Sequence, residues 1–481
     1  MAEQLKDKAV KGVKWSFIDN IAGSGITFLV GLVLARILSP AEFGIIGMVT
    51  IFISISNSII DSGLSNALIR KLDTTEKDYN TVFYTNLILG ALLYAVLFFC
   101  SPAIAKFFSE PILTPILRTI GIVLVFNALC IIQRTILIKR IDFKTQTKVS
   151  LIASTVSGFI GIGMALNGYG VWSLVGQQIS RQLFNFIFFW VFNKWRPTLI
   201  FSLQSFKEMF GFGYKLLLSG LIDTIYKEIY HLIIGKFYSK DELGQYTRAN
   251  QFKTIFSSNL TAVVQRVSYP TLSEIQNNPQ QLLSAYRKII KSTMLVTFAC
   301  MLGLGAIAKP LILTLIGEKW LPAAEYLQII CFSGMLYPLH ALNLNMLQVK
   351  GRSDLFLKLE IIKKILAVIP ICLGIFLGIK FMLWGSVFNS FVAYFLNSYY
   401  SGRLVNYSTR KQIIDILPTF GVSVFVALVM WSVTLINLSP IILLLLQIVI
   451  GISLAIIIYS IINLEEYNEI KKMALSMLKK K

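Results

Sequence analysis

Apolar runs of about 20 residues recur along the whole chain, separated by short polar connections. A helix needs about 20 residues to cross a ~30 Å hydrocarbon core, so the pattern predicts an all-α integral membrane protein. The runs fall at 15–38, 43–66, 80–101, 112–138, 149–167, 170–193, 211–235, 244–265, 290–308, 325–349, 357–379, 382–402, 413–436 and 440–463, which predicts fourteen transmembrane helices. No interval between them is long enough for a sizeable aqueous domain.

Composition excludes a soluble protein: 55% of the 481 residues are hydrophobic and 14% charged, against about 25% charged in soluble domains. The formal net charge of +21 raises nucleic acid as a partner, and the placement of the cations argues against it. Of 45 Lys and Arg, 31 lie in the N-terminal segment, alternate loops and the C-terminal tail, eight lie in the opposite loops, and six lie within the runs. Cytoplasmic loops carry the excess of Lys and Arg, so both termini are expected in the cytoplasm, as an even helix count requires. Basic loops beside a bilayer attract anionic lipid at about 1 kcal/mol per residue, which accounts for the charge with membrane lipids as partners. The start, MAEQLKDKAVKGVKW, is basic and amphipathic and lacks the short apolar core and cleavage site of a secretory signal; the first helix is expected to be retained. Cys100, Cys130, Cys300, Cys331 and Cys372 lie in or beside apolar runs without paired spacing, and read as small packing residues.

The chain repeats itself. LARILSPAEFG (34–44) aligns with IIGKFYSKDELG (233–244), placing Ser39, Glu42 and Gly44 over Ser239, Glu242 and Gly244. AIAK ending at Lys106 recurs ending at Lys309, and LIKRIDFKTQTK (137–148) resembles LQVKGRSDLFLK (347–358). The offset of about 200 residues spans six helices. Six is even, so the repeats share one orientation about an axis along the membrane normal, a plan in which the substrate site lies between lobes. The predicted organisation is two pseudo-symmetric six-helix lobes, 1–200 and 201–408, followed by two helices and a basic cytoplasmic tail, 409–481.

Ionisable residues at membrane depth cost about 2.5–3.5 kcal/mol each on insertion scales and are expected to face water or a partner. They cluster here. The first helix carries Asp19, the second Asn57, Asp61 and Asn66, and the seventh Lys215, Asp223, Lys227, Glu228 and His231. The eighth reads GQYTRANQFKTIFSSNLTAVVQRVSYP, too polar for lipid, with Arg248, Gln251 and Lys253 within two turns. By the repeat, these four helices bound a central cleft. Its cations, Lys215, Lys227, Arg248 and Lys253 with Arg36, give it a positive lining suited to an anion such as pyrophosphate. Asp223 and Lys227, four residues apart on one helix face, read equally as a self-neutralising pair. Arg134 and Arg181 read as bridges between helices or as snorkelling side chains, and neither His231 nor His340 has metal-like neighbours.

Catalytic patterns are missing: no GxxxxGK[ST] phosphate loop, no HExxH, and no long outer loop in which to build a transferase site. NGYG (167–170) is a turn between helices. The chain is expected not to be an enzyme and to need no cofactor beyond coupling to H+ or Na+.

LARILSPAEFGIIGM (34–48), DSGLSNALIRK (61–71), DELGQYTRANQF (241–252) and VSYPTLSEIQNNPQQLLSAYRK (267–288) resemble the polysaccharide transporter, or oligosaccharide flippase, family of the multidrug/oligosaccharidyl-lipid/polysaccharide exporter superfamily. The resemblance covers about residues 10–410 and fits the two extra helices. It implies a cavity between two six-helix lobes that opens alternately to each side of the bacterial cytoplasmic membrane. It further implies an undecaprenyl-pyrophosphate-linked repeat unit of O-antigen, lipopolysaccharide, capsule or exopolysaccharide as substrate, delivered to polymerase machinery on the periplasmic face. Substrate contacts then fall to Lys215, Lys227, Arg248, Gln251, Lys253 and Arg36, and ion coupling to Asp19, Asp61 and Asp223. A cation-coupled drug exporter of the same superfamily calls for an anionic or apolar cavity, which the surplus of Lys and Arg in the seventh and eighth helices opposes. A membrane glycan polymerase or ligase calls for a long outer loop, and a scaffold has no use for a polar eighth helix.

Overall fold

A computed structural model describes Trp15 and residues 22–61, 63–71 and 73–479, with side chains to Lys472. By internal packing the chain divides into two units, Met1–Gly244 and Gln245–Lys481.

The first unit begins with α1 (Ala22–Ile37), followed by α2 (Pro40–Asp61), α3 (Leu64–Arg70), α4 (Glu76–Phe108), α5 (Leu113–Ile120), α6 (Ile122–Lys139), α7 (Phe143–Leu166), α8 (Val171–Phe192) and α9 (Leu203–Phe237). Side-chain caps set several starts. Thr75 and Asp78 form a reciprocal capping box on α4, Asp142 caps α7 and Ser202 caps α9, each satisfying backbone N–H groups that have no partner inside the helix. α7 packs along α8, with Gly161 against Gln177 and Ser173 and Gly176 against Met164, while Gly158 lies against Val30 of α1. In a membrane, where apolar burial gives helices little reason to associate, small residues allow the close approach that packing requires. NGYG forms the turn between them, as expected. α9 packs on α2, α3 and α4.

α10 (Lys240–Glu274) runs from the end of the first unit into the second, which continues with α11 (Pro279–Leu315), a short 3-10 turn (Glu318–Trp320), α12 (Leu321–Gly334), α13 (Tyr337–Val349), α14 (Ser353–Leu366), α15 (Val368–Leu377), α16 (Ile379–Val405), α17 (Thr409–Ser432), α18 (Pro440–Ile461) and α19 (Glu465–Lys479). α11 is the spine, contacting α12, α17 and α18. Of α18, Leu444, Gln447, Gly451 and Tyr459 are buried, Leu454, Ala455 and Ile458 pack half-buried against the core, and exposed side chains such as Ile441, Ile442, Leu445, Ile452, Ile456 and Ile457 suit acyl chains.

Among the described residues, nine helices or end-to-end helix pairs are long and apolar enough to cross a membrane. The chain is a multi-pass membrane protein. α9 and α10, of 35 residues each, and α11, of 37, are about 52–56 Å long at 1.5 Å per residue, well beyond a ~30 Å core. Hydropathy marks only their apolar middles, and capping by Ser202 and Asn278 begins α9 and α11 in polar sequence upstream of it. The segment read from sequence as a basic tail holds α19, docked on α11 by ion pairs of Glu466 with Lys291 and Glu469 with Lys288.

The repeat has a local structural counterpart. Ser39 and Glu42 cap α2 through hydrogen bonds of 2.6 and 2.9 Å, and Ser239 and Glu242 cap α10 in the same way at 3.2 Å. The two first turns touch. A Cβ on Gly44 would lie 1.7 Å from the Lys240 carbonyl oxygen, and one on Gly244 1.9 Å from that of Pro40, so the contact is reciprocal.

Candidate substrate cleft

The first unit holds a cleft of about 590 Å³, within the range of small-molecule sites. α2 contributes Ser54, Asn57, Ser58 and Asp61; α3 contributes Ser65 and Asn66; α6 contributes Asn127, Arg134 and Thr135; α9 contributes Thr224, Lys227 and Glu228. Side chains three or four apart on a helix share a face, so 54, 57, 58 and 61 on α2 present one polar stripe, and 224, 227 and 228 on α9 another. Ile69, Ile131 and Ile138 complete the wall.

Neighbours hold these groups in place. The Ser65 hydroxyl donates to Asp61 Oδ1 at 2.9 Å, and Ser54 donates to Glu228 Oε1 at 3.5 Å. Glu228 Oε2 faces His231 Nδ1 at 3.1 Å. Lys227 Nζ lies 2.7 Å from Asp223 Oδ2, so the pair suggested by spacing forms. Behind the wall runs a chain of amides: Asn185 donates to Gln182 at 3.5 Å, Gln182 to Asn127 at 3.3 Å, and Asn127 to Asn57 Oδ1 at 2.8 Å.

Asp61 and Lys227 thus share the cleft. Lys215 is exposed on α9 beside the Tyr214 ring, and Arg36 is exposed at the end of α1; neither belongs to the lining. Asp19 lies outside the described residues. The other expected contacts sit on α10 in the second unit. Arg248 is 3% exposed, donates to Gln251 Oε1 and lies 5.7 Å from the Trp320 ring centre. Lys253 is half-buried, its stem against Gly334. The polarity of α10 divides between a packed side, where Gln245 bonds Lys319 and Ala323 and Ser268 accepts from Asn345, and an exposed side with Thr254, Gln265 and Arg266.

Sequence reasoning read Arg134 as a bridge between helices or a snorkelling side chain; its guanidinium lies over the Phe189 ring of α8 at 5.8 Å, and the residue also lines the cleft. It also missed Asn127, which shares its apolar run with one other amide, Gln133. Its only sequence signal is placement near mid-helix, seven residues before Arg134 on the same face. Among the described residues no group of three His, Cys, Asp or Glu side chains is placed to hold a metal ion.

Comparison with known proteins agrees with this architecture. A family model described as "Polysaccharide biosynthesis protein" matches residues 33–325. The teichuronic acid biosynthesis protein TuaB of Bacillus subtilis (strain 168) is 26% identical over 354 residues, 73% of each chain. The succinoglycan biosynthesis transport protein ExoT of Rhizobium meliloti (strain 1021) is 25% identical, over 68% of this chain and 67% of its own. The lipopolysaccharide biosynthesis protein WzxC of Escherichia coli (strain K12) is 23% identical, over 77% and 76%. In fold, the chain is similar to the lipid II flippase MurJ in an inward closed conformation, with a TM-score of 0.75 at 17% identity over 94% of this chain and 98% of that one. It is also similar to an inward-facing multidrug resistance MATE family transporter of the MOP superfamily, with a TM-score of 0.63 at 16% identity over 80% and 94%. With a match across more than half its length, the chain belongs to the polysaccharide biosynthesis protein family.

Proposed function

We propose that the protein is a flippase that carries undecaprenyl-pyrophosphate-linked polysaccharide repeat units from the cytoplasmic to the periplasmic leaflet of a bacterial inner membrane by alternating access. The observation that carries this reading is a polar cleft walled by membrane helices, in a chain whose relatives are named for polysaccharide biosynthesis and transport. A static membrane protein has no use for four ionisable side chains around one cavity, each costly at membrane depth.

In this reading α2 with α3, α5 with α6, α12 with α13 and α14 with α15 are single crossings and α19 stays outside the membrane, for fourteen spans with both termini in the cytoplasm, as the positive loops favour. The two lobes, 1–200 and 201–408, exchange access while the isoprenoid tail stays in lipid. Lys227 contacts the part of the substrate held in the cleft; Arg248, Gln251, Lys253, Lys215 and Arg36 lie outside its lining. Asp61 and Asp223, with Asp19, serve H+ or Na+ coupling. The reaction is transport without covalent change, and its product passes to a polymerase. Deleting the gene tests the reading: lipid-linked repeat units accumulate with their sugars facing the cytoplasm, and unchanged surface polysaccharide contradicts it.

A further inference from the structure

The charges around the cleft do not suit a diphosphate. Its lining holds two carboxylates, Asp61 and Glu228, and two cations, Arg134 and Lys227, so it is formally neutral, and Lys227 is further matched by Asp223. An anion carrying two or more charges calls for a cationic excess. What the cleft offers in quantity is amides and hydroxyls, the groups that bond to polar, uncharged ligands. Resting on the flippase reading, we propose that this cleft receives the sugar of the lipid-linked substrate as an uncharged saccharide, and that the Asn57 amide is its specificity-determining contact.

Three features of the site lead to Asn57. The relay from Asn185 through Gln182 and Asn127 ends with Asn127 donating to Asn57 Oδ1. That engages the carbonyl of Asn57, a residue of the cleft lining, and leaves its NH2 as the group to donate to a ligand there. Asp61, one helical turn further along α2, accepts from Ser65 and forms no ion pair among the described residues. It therefore has lone pairs to accept sugar hydroxyls. Arg134 likewise forms no ion pair among the described residues and rests on an aromatic face, leaving N–H groups for a ring, hydroxyl or acyl oxygen. Donor, acceptor and donor from α2 and α6 suit the hydroxyls and ring oxygen of a hexopyranose and the acyl carbonyl of an N-acetylated one. A uronic acid brings a carboxylate toward Asp61 and Glu228, whose charges its single Arg134 contact does not outweigh.

Dissociation constants of the purified full-length protein in detergent, for three probes, test this. The probes are undecaprenyl pyrophosphate alone, and the same lipid carrying one N-acetylglucosamine or one glucuronic acid. The wild type is expected to bind the N-acetylglucosamine probe about tenfold more tightly than the bare lipid, as one or two well-placed hydrogen bonds supply, and the glucuronic acid probe no more tightly than the bare lipid. Asn57→Ala abolishes that preference while leaving the bare lipid unchanged. Gln182→Ala, outside the lining, weakens it by loosening the relay and guards against a fold defect at position 57. A preference that survives Asn57→Ala, an equal loss for all three probes, or tighter binding of the glucuronic acid probe overturns the proposal. Failure of the wild type to bind any probe overturns the flippase reading itself.

Discussion

Replacing Gly44 or Gly244 by alanine tests the reciprocal crossing of α2 and α10. At both positions the added methyl falls more than an ångström inside the 3.0 Å that Cβ atoms essentially never breach, and the atoms it meets are backbone: the Lys240 carbonyl at 1.7 Å for Gly44 and the Pro40 carbonyl at 1.9 Å for Gly244. A side chain in the way would rotate aside, but a carbonyl in the first turn of a helix moves only with the helix. Overpacking by a methylene typically costs about 1–3 kcal/mol, and a backbone obstacle puts these sites at the upper end. At about 2–4 °C per kcal/mol for domains of this size, each variant is expected to unfold about 6–12 °C below wild type in detergent. The pair is expected to be less than additive, because both methyls separate the same two turns. Gly163→Ala and Gly211→Ala are the controls: their methyls meet nothing within 4 Å, and alanine favours a helix over glycine by about 1 kcal/mol. A wild-type midpoint for Gly44→Ala or Gly244→Ala would refute the crossing.

Other tests address single contacts. Asp415 accepts two hydrogen bonds of 2.8 Å from Arg287 and one of 2.6 Å from Tyr407, tying α11 to α17. Asp415→Asn is expected to lower the thermal midpoint with a cost of about 1–3 kcal/mol. Glu208, and after it Asp78, raises the pKa of Lys71 above its usual 10.5. Because the folded value is the higher one, this stabilisation is fully present below pH 10.5 and lost as pH rises through the raised value. Lys71→Met is therefore expected to destabilise alike at pH 6 and pH 8 in a melting assay. Asp61→Asn is expected to leave folding intact and abolish gradient-dependent transport in vesicles, since among the described residues the hydrogen bond of Asp61 is with Ser65. Glu466→Gln is expected to free α19 from Lys291 and speed proteolysis beyond Ile462 without loss of transport.

Much of the all-helical fold was legible because a bilayer favours long apolar runs: each run read from sequence falls on a helix or helix pair wherever residues are described, and nine of these are long and apolar enough to cross a membrane. What hydropathy hid is the polar overhang of α9, α10 and α11, whose starts depend on caps such as Ser202 and Asn278. It also hid α19, whose hold on α11 depends on ion pairs distant in sequence. The repeat pointed to Gly44 and Gly244, but only coordinates show that the matched turns touch. For the cleft, a polar residue in an apolar run is visible as an anomaly, so Asp61 and Lys227 stood out. Their company did not: Asn127 and Arg134 arrive from α6, and which faces of α2, α6 and α9 meet is a matter of packing that one sequence does not encode locally.

The central claim is that this chain moves a saccharide-bearing lipid across a bilayer, and the most direct measurement is translocation by the purified protein. Proteoliposomes carrying undecaprenyl-pyrophosphate-linked oligosaccharide on one leaflet, probed with a membrane-impermeant sugar-modifying reagent, should show the second leaflet filling only when the protein is present, and Asp61→Asn vesicles should lose the acceleration by an imposed ion gradient. Equal rates with and without protein, in vesicles where it is folded and correctly inserted, would contradict the account.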